Sequence, residues 1–482
     1  MKLPCILNGK TIPLQRIEKR IERQDLLAWL ESQSLYPKVF WKEKGSLTTR
    51  AAVGSLLMFP SIPSVEGQVR LYGGSSFAEP NGKHSVWEGF PRSCFWLPQI
   101  EISQTDGETV AVFYSFEEVP PPLETVRDEK HLYCTRLGFV NLDSAKQSKI
   151  EENFVRALNE EPHCQIGKGD EEDRFCEVAA SPNSQNLSGR SIPPSAPMSR
   201  QDLPLFAEWE KALSLTLDAI ASKQIEKLVL ARQTTWTFAT PLSLYPLLVT
   251  LQNTQKEATL FAFQLSSHHC FFGATPELLF ERSGSSLRTE AIAGTRPRGK
   301  TQEEEKRFAL ELLHGAKEQR EFQVVKQGLE ETLTPLVTRL KWEGRDEIIK
   351  TSQLQHLYNR LTAEILPGIS DETVRQALHP TPALGGYPKE KALSLLKELE
   401  SFDRGWYGAP VGVISLERTA LYVAIRSCLL QECQLHQFAG AGIVERSVAE
   451  LEWEELNSKM RSVFSMTLSG HLQSLSRLTL QI

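Results

Sequence analysis

No apolar run in this chain is long enough to cross a bilayer. The most apolar stretch, Ala51 to Val65, is interrupted by Pro60 and Pro63, whereas a spanning helix needs about 20 apolar residues in a row. The first ten residues also lack the apolar core of a secretory signal, so a cytoplasmic protein without a membrane partner is expected. An excess of basic charge is missing too. With 54 Lys and Arg against 60 Asp and Glu, the formal net charge is -6, which argues against a nucleic-acid partner whose phosphates would need neutralising. Eight cysteines in 482 residues, without paired short spacings, make neither a disulfide framework nor a zinc site, and reduced thiols are the expectation. The first hundred or so residues hold no phosphate-binding loop and no dinucleotide fingerprint. What remains, 40% hydrophobic and 24% charged residues, is the composition of an ordinary soluble globular protein.

Along the chain, Ile17 to Ser32 reads as a helix, and Val39 to Trp41, Ala51 to Phe59, Ile100 to Ile102 and Thr109 to Phe116 read as strands. Gly73-Gly74 and Trp87 to Pro91 read as loop and turn around Phe95 to Pro98. Ser144 to Leu158 reads as a helix. Residues 160–200 carry an acidic run from Gly169 to Arg174 and a Ser/Asn/Pro-rich segment, and they are the best candidate for a linker or insertion. His163, Cys164 and Cys176 within them are taken as incidental. Residues 1–160 thus form a variable N-terminal half and 200–482 a second half in which stronger signals begin. Phe206 to Ser222 is amphipathic, Lys227 to Arg232 is a buried-looking strand opened by a lysine, and Ala258 to Gln264 with Cys270 to Gly273 reads as a hairpin. Leu287 to Ala293 and Leu421 to Arg426 are further strands. One long helix is expected over Glu303 to Leu329, and another over Lys389 to Leu399.

Two helices carry the same geometry. Near the C-terminus, Phe438 to Lys459 reads as strand, glycine turn and a helix beginning after Ser447, which stands in a capping-box relation to Glu450. Ala449, Trp453, Leu456, Met460 and Val463 make its apolar face. Glu452, Glu455 and Lys459 lie on a second stripe about 100° away. In the earlier helix, Glu318 and Glu321 flank the apolar stripe of Phe322, Val325 and Leu329 in the same way. An acidic helix face is ordinarily solvated. Two i, i+3 carboxylate pairs facing one cleft could instead share a hard divalent cation, with some of the four acting through water.

Six motifs in order resemble the chorismate-utilising enzymes: Lys227-Leu-Val-Leu-Ala-Arg232, Pro276-Glu277-Leu-Leu-Phe280, Ala293-Gly-Thr-Arg-Pro-Arg-Gly299, Leu378-His-Pro-Thr-Pro-Ala383, Tyr407-Gly-Ala-Pro-Val-Gly412 and Gly440-Ala-Gly-Ile-Val444. That family includes the first components of anthranilate and aminodeoxychorismate synthases, salicylate synthase and isochorismate synthase. The resemblance is close from about Ser199 onward. It is looser in the N-terminal half, where Leu35 to Trp41, Tyr72 to Ser75, Trp87 to Phe90 and Phe95 to Pro98 resemble the longer isochorismate synthases that feed menaquinone synthesis. It implies an α+β fold of two face-packed antiparallel sheets with outer helices and a central cleft, the whole of 1–482 forming one chorismate-binding domain.

Isochorismate synthesis adds water at C2 of chorismate while the C4 hydroxyl leaves, which requires a general base and a general acid. By resemblance the base is Lys227, where ammonia-using relatives carry glutamine, and the acid is Glu277. A lysine acting as base implies a site that lowers its pKa from the ordinary value of about 10.4. The resemblance further implies Mg²⁺ on Glu321 and Glu455, with Glu318 and Glu452 completing the acidic site. Arg426 and Tyr407, helped by the backbone of Gly440 to Gly442, would hold the enolpyruvyl carboxylate. Lys459 would be a further carboxylate or metal-site partner, Gly294 and Thr295 would line the C4 side, and His356 would lie near the ring. Many relatives have histidine where this chain has Phe322, which should alter packing rather than metal binding. Isochorismate synthase without an obligatory protein partner is the expected function. Salicylate synthase and a non-catalytic chorismate-binding protein are the alternatives.

Overall fold

The computed structural model describes residues 2–7, 9–79, 82–116, 197–351 and 354–467. The helix expected at Ser144 to Leu158 and residues 160–196 of the expected linker lie outside them. Among the described residues the strands form an α+β structure of two antiparallel sheets, one of 14 strands and one of 10.

Period-two alternation assigns the faces. In the strand Lys38–Lys42, Val39 and Trp41 point one way and Phe40 the other; in Thr259–Gln264, Phe261 and Phe263 oppose Leu260 and Ala262. Val39, Trp41, Phe261 and Phe263 of the larger sheet join Tyr72, Trp96, Val411 and Tyr422 of the smaller one in a single buried layer, so the sheets pack face to face. Trp41 meets Tyr422 edge-on at 5.8 Å and Trp96 meets Phe263 at 5.6 Å, the tilted geometry that aromatic quadrupoles prefer. The helices Leu26–Ser32 and Leu244–Thr254 cover part of the larger sheet's other face. Phe206–Ala221, Ala316–Leu333 and Ala449–Thr467 pack in a third cluster with Leu228 and Leu230 of the larger sheet and Ala291, Leu357 and Leu361 of the smaller. No helix among the described residues is long and apolar enough to cross a membrane.

Both sheets mix strands from before residue 117 and after residue 196. Lys38–Lys42 lies between Thr49–Val53 and Thr259–Gln264, and Arg70–Ser75 pairs with Pro410–Ser415, Gly412 opposite Gly73.

Several local expectations need correction. Ile17 and Ile21 belong to a strand, Lys10–Ile21, and only Leu26–Ser32 is helical, capped by Asp25. Ala51 to Phe59 is two strands in different sheets, broken at Gly54, whose φ of +73 favours glycine. Gly73-Gly74 lies inside a strand, whereas Trp87 to Pro91 is turn and loop as expected, followed by the strand Ser93–Leu97. The glycines permit close approach there: a Cβ on Gly73 would stand 2.0 Å from the Cys94 carbonyl. The long helix is two, Gln302–His314 and Ala316–Leu333, parted at Gly315, where a Cβ would come within 2.5 Å of the Glu311 carbonyl. Ser199 and Arg200, placed in the linker, begin the strand Ser199–Leu203.

Candidate active site

The candidate site lies where strands leave one sheet for the other. His269–Thr275 belongs to the larger sheet and Leu278–Ser283 to the smaller, and Pro276 and Glu277 bridge them. The return crossing, Ala424 to Arg426, joins Thr419–Val423 to Ser427–Gln431. The two crossings are laced together. Thr275 Oγ1 donates to the Val423 carbonyl at 2.6 Å and accepts the Glu277 N–H at 3.2 Å, and the Ala274 N–H donates to the Arg426 carbonyl at 3.1 Å. Arg426 is held at φ 53, a left-handed conformation that a non-glycine residue adopts only when its surroundings impose it.

Lys227 opens the strand Lys227–Thr237, which pairs with Gln434–Ile443 so that Val229 faces Gly442 and Ala231 faces Gly440. The two glycines are therefore strand residues rather than a turn; the turn follows at Val444 to Ser447, and the helix starts at Ala449. Their lack of side chains opens the site. A Cβ on Gly442 would stand 2.3 Å from Glu321 Oε1 and 2.9 Å from Lys227 Cε, and one on Gly440 would stand 3.2 Å from Tyr407 Oη. Lys227 Nζ donates to Glu321 Oε1 at 3.0 Å and is wholly buried.

Gly294 and Thr295 form a bulge. Ala293 pairs with Leu357 and Arg296 with Gln355, which leaves both residues opposite His356. The Gly294 carbonyl can only accept, so His356 Nδ1, 3.0 Å away, carries the proton and donates to it. Nε2 is then a bare acceptor, buried without a partner among the described residues, and Arg426 Nη1 is a donor left without one there.

The two carboxylate helices meet beside these groups, and each acid holds a base. Glu318 pairs with Arg296 at 2.5 Å, Glu321 with Lys227, Glu452 with Lys317 at 2.5 Å, and Glu455 with Lys459 at 2.7 Å. Lys459 Nζ also donates to the Gly440 carbonyl at 2.7 Å. Turned to these partners, no three His, Cys, Asp or Glu side chains among the described residues are gathered as a cation site. Phe322 is fully buried in the core, so it packs behind the pair rather than beside the acids.

Electrostatics tie the group together. Burial, then the nearby Glu290 charge, pushes the Glu277 carboxyl up to about 8, against the pull of Lys227, Lys459 and Arg426. Burial, reinforced by Arg426, pulls His356 down to about 3, so its imidazole is neutral. Burial also lowers Arg426 to about 10 and raises the Tyr407 hydroxyl. Burial and Glu455 push Glu452 up; burial would do the same to Glu455, but Lys459 and Lys317 outweigh it and hold that carboxyl low. The site therefore contains a neutral carboxyl able to give a proton, a buried lysine and an arginine whose Nη1 is left without a hydrogen-bond partner among the described residues.

Residues 163–468 match the family described as chorismate binding enzyme, well over half of the chain. The chain belongs to the chorismate-binding enzymes. Among the relatives of this chorismate-binding enzyme is an isochorismate synthase of Pasteurella multocida, 28% identical over 93% of this chain and 91% of that one. Among solved structures, the menaquinone-specific isochorismate synthase of Escherichia coli superposes with a TM-score of 0.74 at 21% identity, covering 95% of each chain. Anthranilate synthase component I of Streptococcus pneumoniae gives 0.63 at 17%, covering 88% of this chain and 93% of that one. At these identities the two structures establish the fold.

All fourteen residues singled out from the sequence fall in or beside this one cluster. Sequence reasoning missed Arg296, Lys317 and Glu290. Arg296 and Lys317 stand inside or next to the motifs, in Gly294-Thr-Arg296 and Lys317-Glu318, but neither adjoins in sequence the acid with which it pairs.

Proposed function

We propose that this chorismate-binding enzyme is an isochorismate synthase. The observation that carries the reading is one buried cluster holding a neutral glutamic acid at Glu277 together with Lys227 and an arginine, Arg426, whose Nη1 has no hydrogen-bond partner among the described residues. Lys227 takes a proton from the water that attacks C2. Glu277 gives its proton to the C4 hydroxyl, which leaves as water while the ring double bonds shift. The net change is an isomerisation, and one proton is taken up for each one released.

The remaining residues bind and orient. Arg426, with Tyr407 and the open backbone of Gly440 and Gly442, receives the enolpyruvyl carboxylate, since a guanidinium fork suits a carboxylate. His356 Nε2, a bare acceptor, takes a hydrogen bond from a ring hydroxyl, and Gly294 and Thr295 line the same side. The acids fit Mg²⁺ by chemistry: they offer hard oxygens from two helices, and Gly315 and Gly442 leave room for Glu318 and Glu321, where a Cβ would stand 2.2 and 2.3 Å from the carboxylate oxygens. Glu321 and Glu455 would hold the cation, with Glu318 and Glu452 around it through water and Lys459 beside them. When bound, it supplies Lewis-acid charge that fixes the ring carboxylate of the substrate.

The strands contributed to both sheets by both halves support a single domain over 1–482. Water as nucleophile makes a glutaminase partner unnecessary. Free thiols at Cys94, Cys270, Cys428 and Cys433 fit a cytoplasmic setting, and likeness over the whole length of menaquinone-pathway relatives favours that pathway.

The test is incubation with chorismate and Mg²⁺. Isochorismate should form in wild type and be lost in Lys227→Ala. Stoichiometric pyruvate without an added lyase would mean salicylate synthase instead, and no turnover at all would mean a binding protein.

A further inference from the structure

The stretch Trp87 to Phe90 stands out in the sequence, yet the chemistry above gives it no part. It forms a tight turn, with the Phe90 N–H donating to the Trp87 carbonyl at 3.0 Å. The turn is laced onto the loop that carries Tyr407. The Asp403 N–H donates to the His84 carbonyl at 2.8 Å, Trp406 Nε1 donates to the Pro91 carbonyl at 2.7 Å, and a Cβ on Gly405 would run into the Trp87 ring.

Trp87 itself is 6% exposed, and its indole lies against Phe438. The two rings stack with centroids 5.5 Å apart and planes at 24°; Phe438 in turn stacks on Tyr407 at 5.2 Å and 18°. Phe402 is a third near-parallel neighbour of Phe438, at 6.4 Å and 28°. Elsewhere in the layer between the sheets, rings meet edge-on, as Trp41 does with Tyr422 and Phe271 with Trp406. Core filling alone is met by that edge-on form. Near-parallel rings converge instead on one residue, and that residue touches Tyr407.

The strand Gln434–Ile443 shows what the stack serves. Phe438, Gly440 and Gly442 are two apart and share one of its faces. Phe438 supports the Tyr407 ring, while Gly440 leaves the hydroxyl end open, since a Cβ there would stand 3.2 Å from Oη. The ring is gripped and its polar tip is free for a ligand. Tyr407 is buried, and burial raises its hydroxyl so that it stays protonated and can donate. A phenolic O–H lies in the plane of its ring by conjugation, so the plane of the ring decides where the proton points.

We propose that Trp87 is a positioning residue for substrate binding: through Phe438 it fixes the plane of the Tyr407 ring and aims the hydroxyl at the enolpyruvyl carboxylate. This rests on the part given to Tyr407 above. It also gives the N-terminal segment a task in the site, beyond the strands it adds to the sheets.

Initial rates over a range of chorismate concentrations at saturating Mg²⁺ test the proposal, beside calorimetric titration with chorismate in a Lys227→Ala background. Tyr407→Phe should raise KM about tenfold, as loss of one hydrogen bond to a charged group does. Trp87→Leu should raise KM by about threefold to tenfold, as that bond is misaimed. Its kcat should change little, the mark of binding lost equally from ground and transition states. Trp87→Phe keeps a flat ring over Phe438 and should restore most of the affinity. In a Tyr407→Phe chain, adding Trp87→Leu should raise KM no further, because the hydroxyl it aims is already gone. Trp96→Leu, the same truncation elsewhere in the layer between the sheets, should lower the melting temperature and leave KM unchanged. An unchanged KM in Trp87→Leu, an equal rise with and without the Tyr407 hydroxyl, or a loss confined to kcat would overturn the proposal. Should Trp87→Leu not fold, Phe438→Leu decides by the same criteria. If Tyr407→Phe alone leaves KM and the dissociation constant unchanged, the part given to Tyr407 fails and the proposal with it. A chain that binds chorismate but forms no isochorismate fails on the reaction, and the dissociation constants still decide on Trp87.

Discussion

Glu277, the proposed general acid, would serve the reaction at the expense of the fold. Its carboxyl is raised from an ordinary 4.5 to about 8. Between those values the folded chain keeps a proton that the unfolded chain has lost, so stability falls as pH rises through this window, and the loss is complete above about pH 8. Activity should have the same upper limit, because only the protonated form can act as the proposed acid. Glu277→Gln should therefore separate the two. Turnover should fall by about 10² to 10⁴, the usual contribution of a general acid, while the melting temperature relative to wild type should rise on going from about pH 5 to about pH 9. A pH series of melting curves beside a kcat profile checks both. A wild-type kcat that holds well above about pH 8 would remove Glu277 as the acid. Lys227 and Glu277 were legible in the sequence because each sits in a short, ordered motif. Arg296 and Lys317 were not, because their pairing with Glu318 and Glu452 depends on which elements the fold brings together.

At the scale of elements, glycine was the residue most often misread. Gly73, Gly440 and Gly442 look like turn signals, yet all three lie in strands, where the missing Cβ makes room for a neighbouring backbone or for the site. The distinction has a consequence. Gly442→Ala keeps an extended backbone and a paired strand, so the melting temperature should change little. The new methyl would collide with Glu321 Oε1 and Lys227 Cε and move the proposed base. A displacement of about 1 Å at a reacting group can cost on the order of 10² in rate, and kcat should drop accordingly, with near-normal far-UV circular dichroism. Gly45, at a turn with open space around it, is the control: alanine there should leave kcat unchanged and act only through its φ of +68. The helices that carry the carboxylates were legible from their 3.6-residue apolar stripes. The break at Gly315 was not, since one glycine inside a periodic pattern is usually tolerated.

Across the whole molecule, the half that carries every motif should not stand alone. Composition changes at residues 160–200 and the family resemblance is close only after them, yet that resemblance implies one domain over 1–482. Both sheets draw strands from either side of that segment. Lys38–Lys42 covers the edge of Thr259–Gln264, and Arg70–Ser75 covers the edge of Pro410–Ser415. The N-terminal segment also supplies Trp41, Tyr72, Phe95 and Trp96, all wholly buried, to the cores of the molecule. Each such aromatic, if truncated to alanine, would cost about 3 to 5 kcal/mol, against a total stability of about 5 to 15 kcal/mol for a typical domain. Phe263→Ala, which removes a single ring from the layer between the sheets, should therefore lower the melting temperature by several degrees and leave a foldable enzyme. Residues 197–482 alone lose four such rings and expose two strand edges to pairing with other chains. That fragment should show no cooperative unfolding transition, bind a hydrophobic dye and turn over no chorismate. Co-expression with residues 1–116 should restore at least part of the soluble, active protein, because the missing strands pair by backbone register and need no covalent link. A cooperative, active fragment 197–482 would show that the N-terminal strands decorate the fold and that the molecule divides at its linker after all.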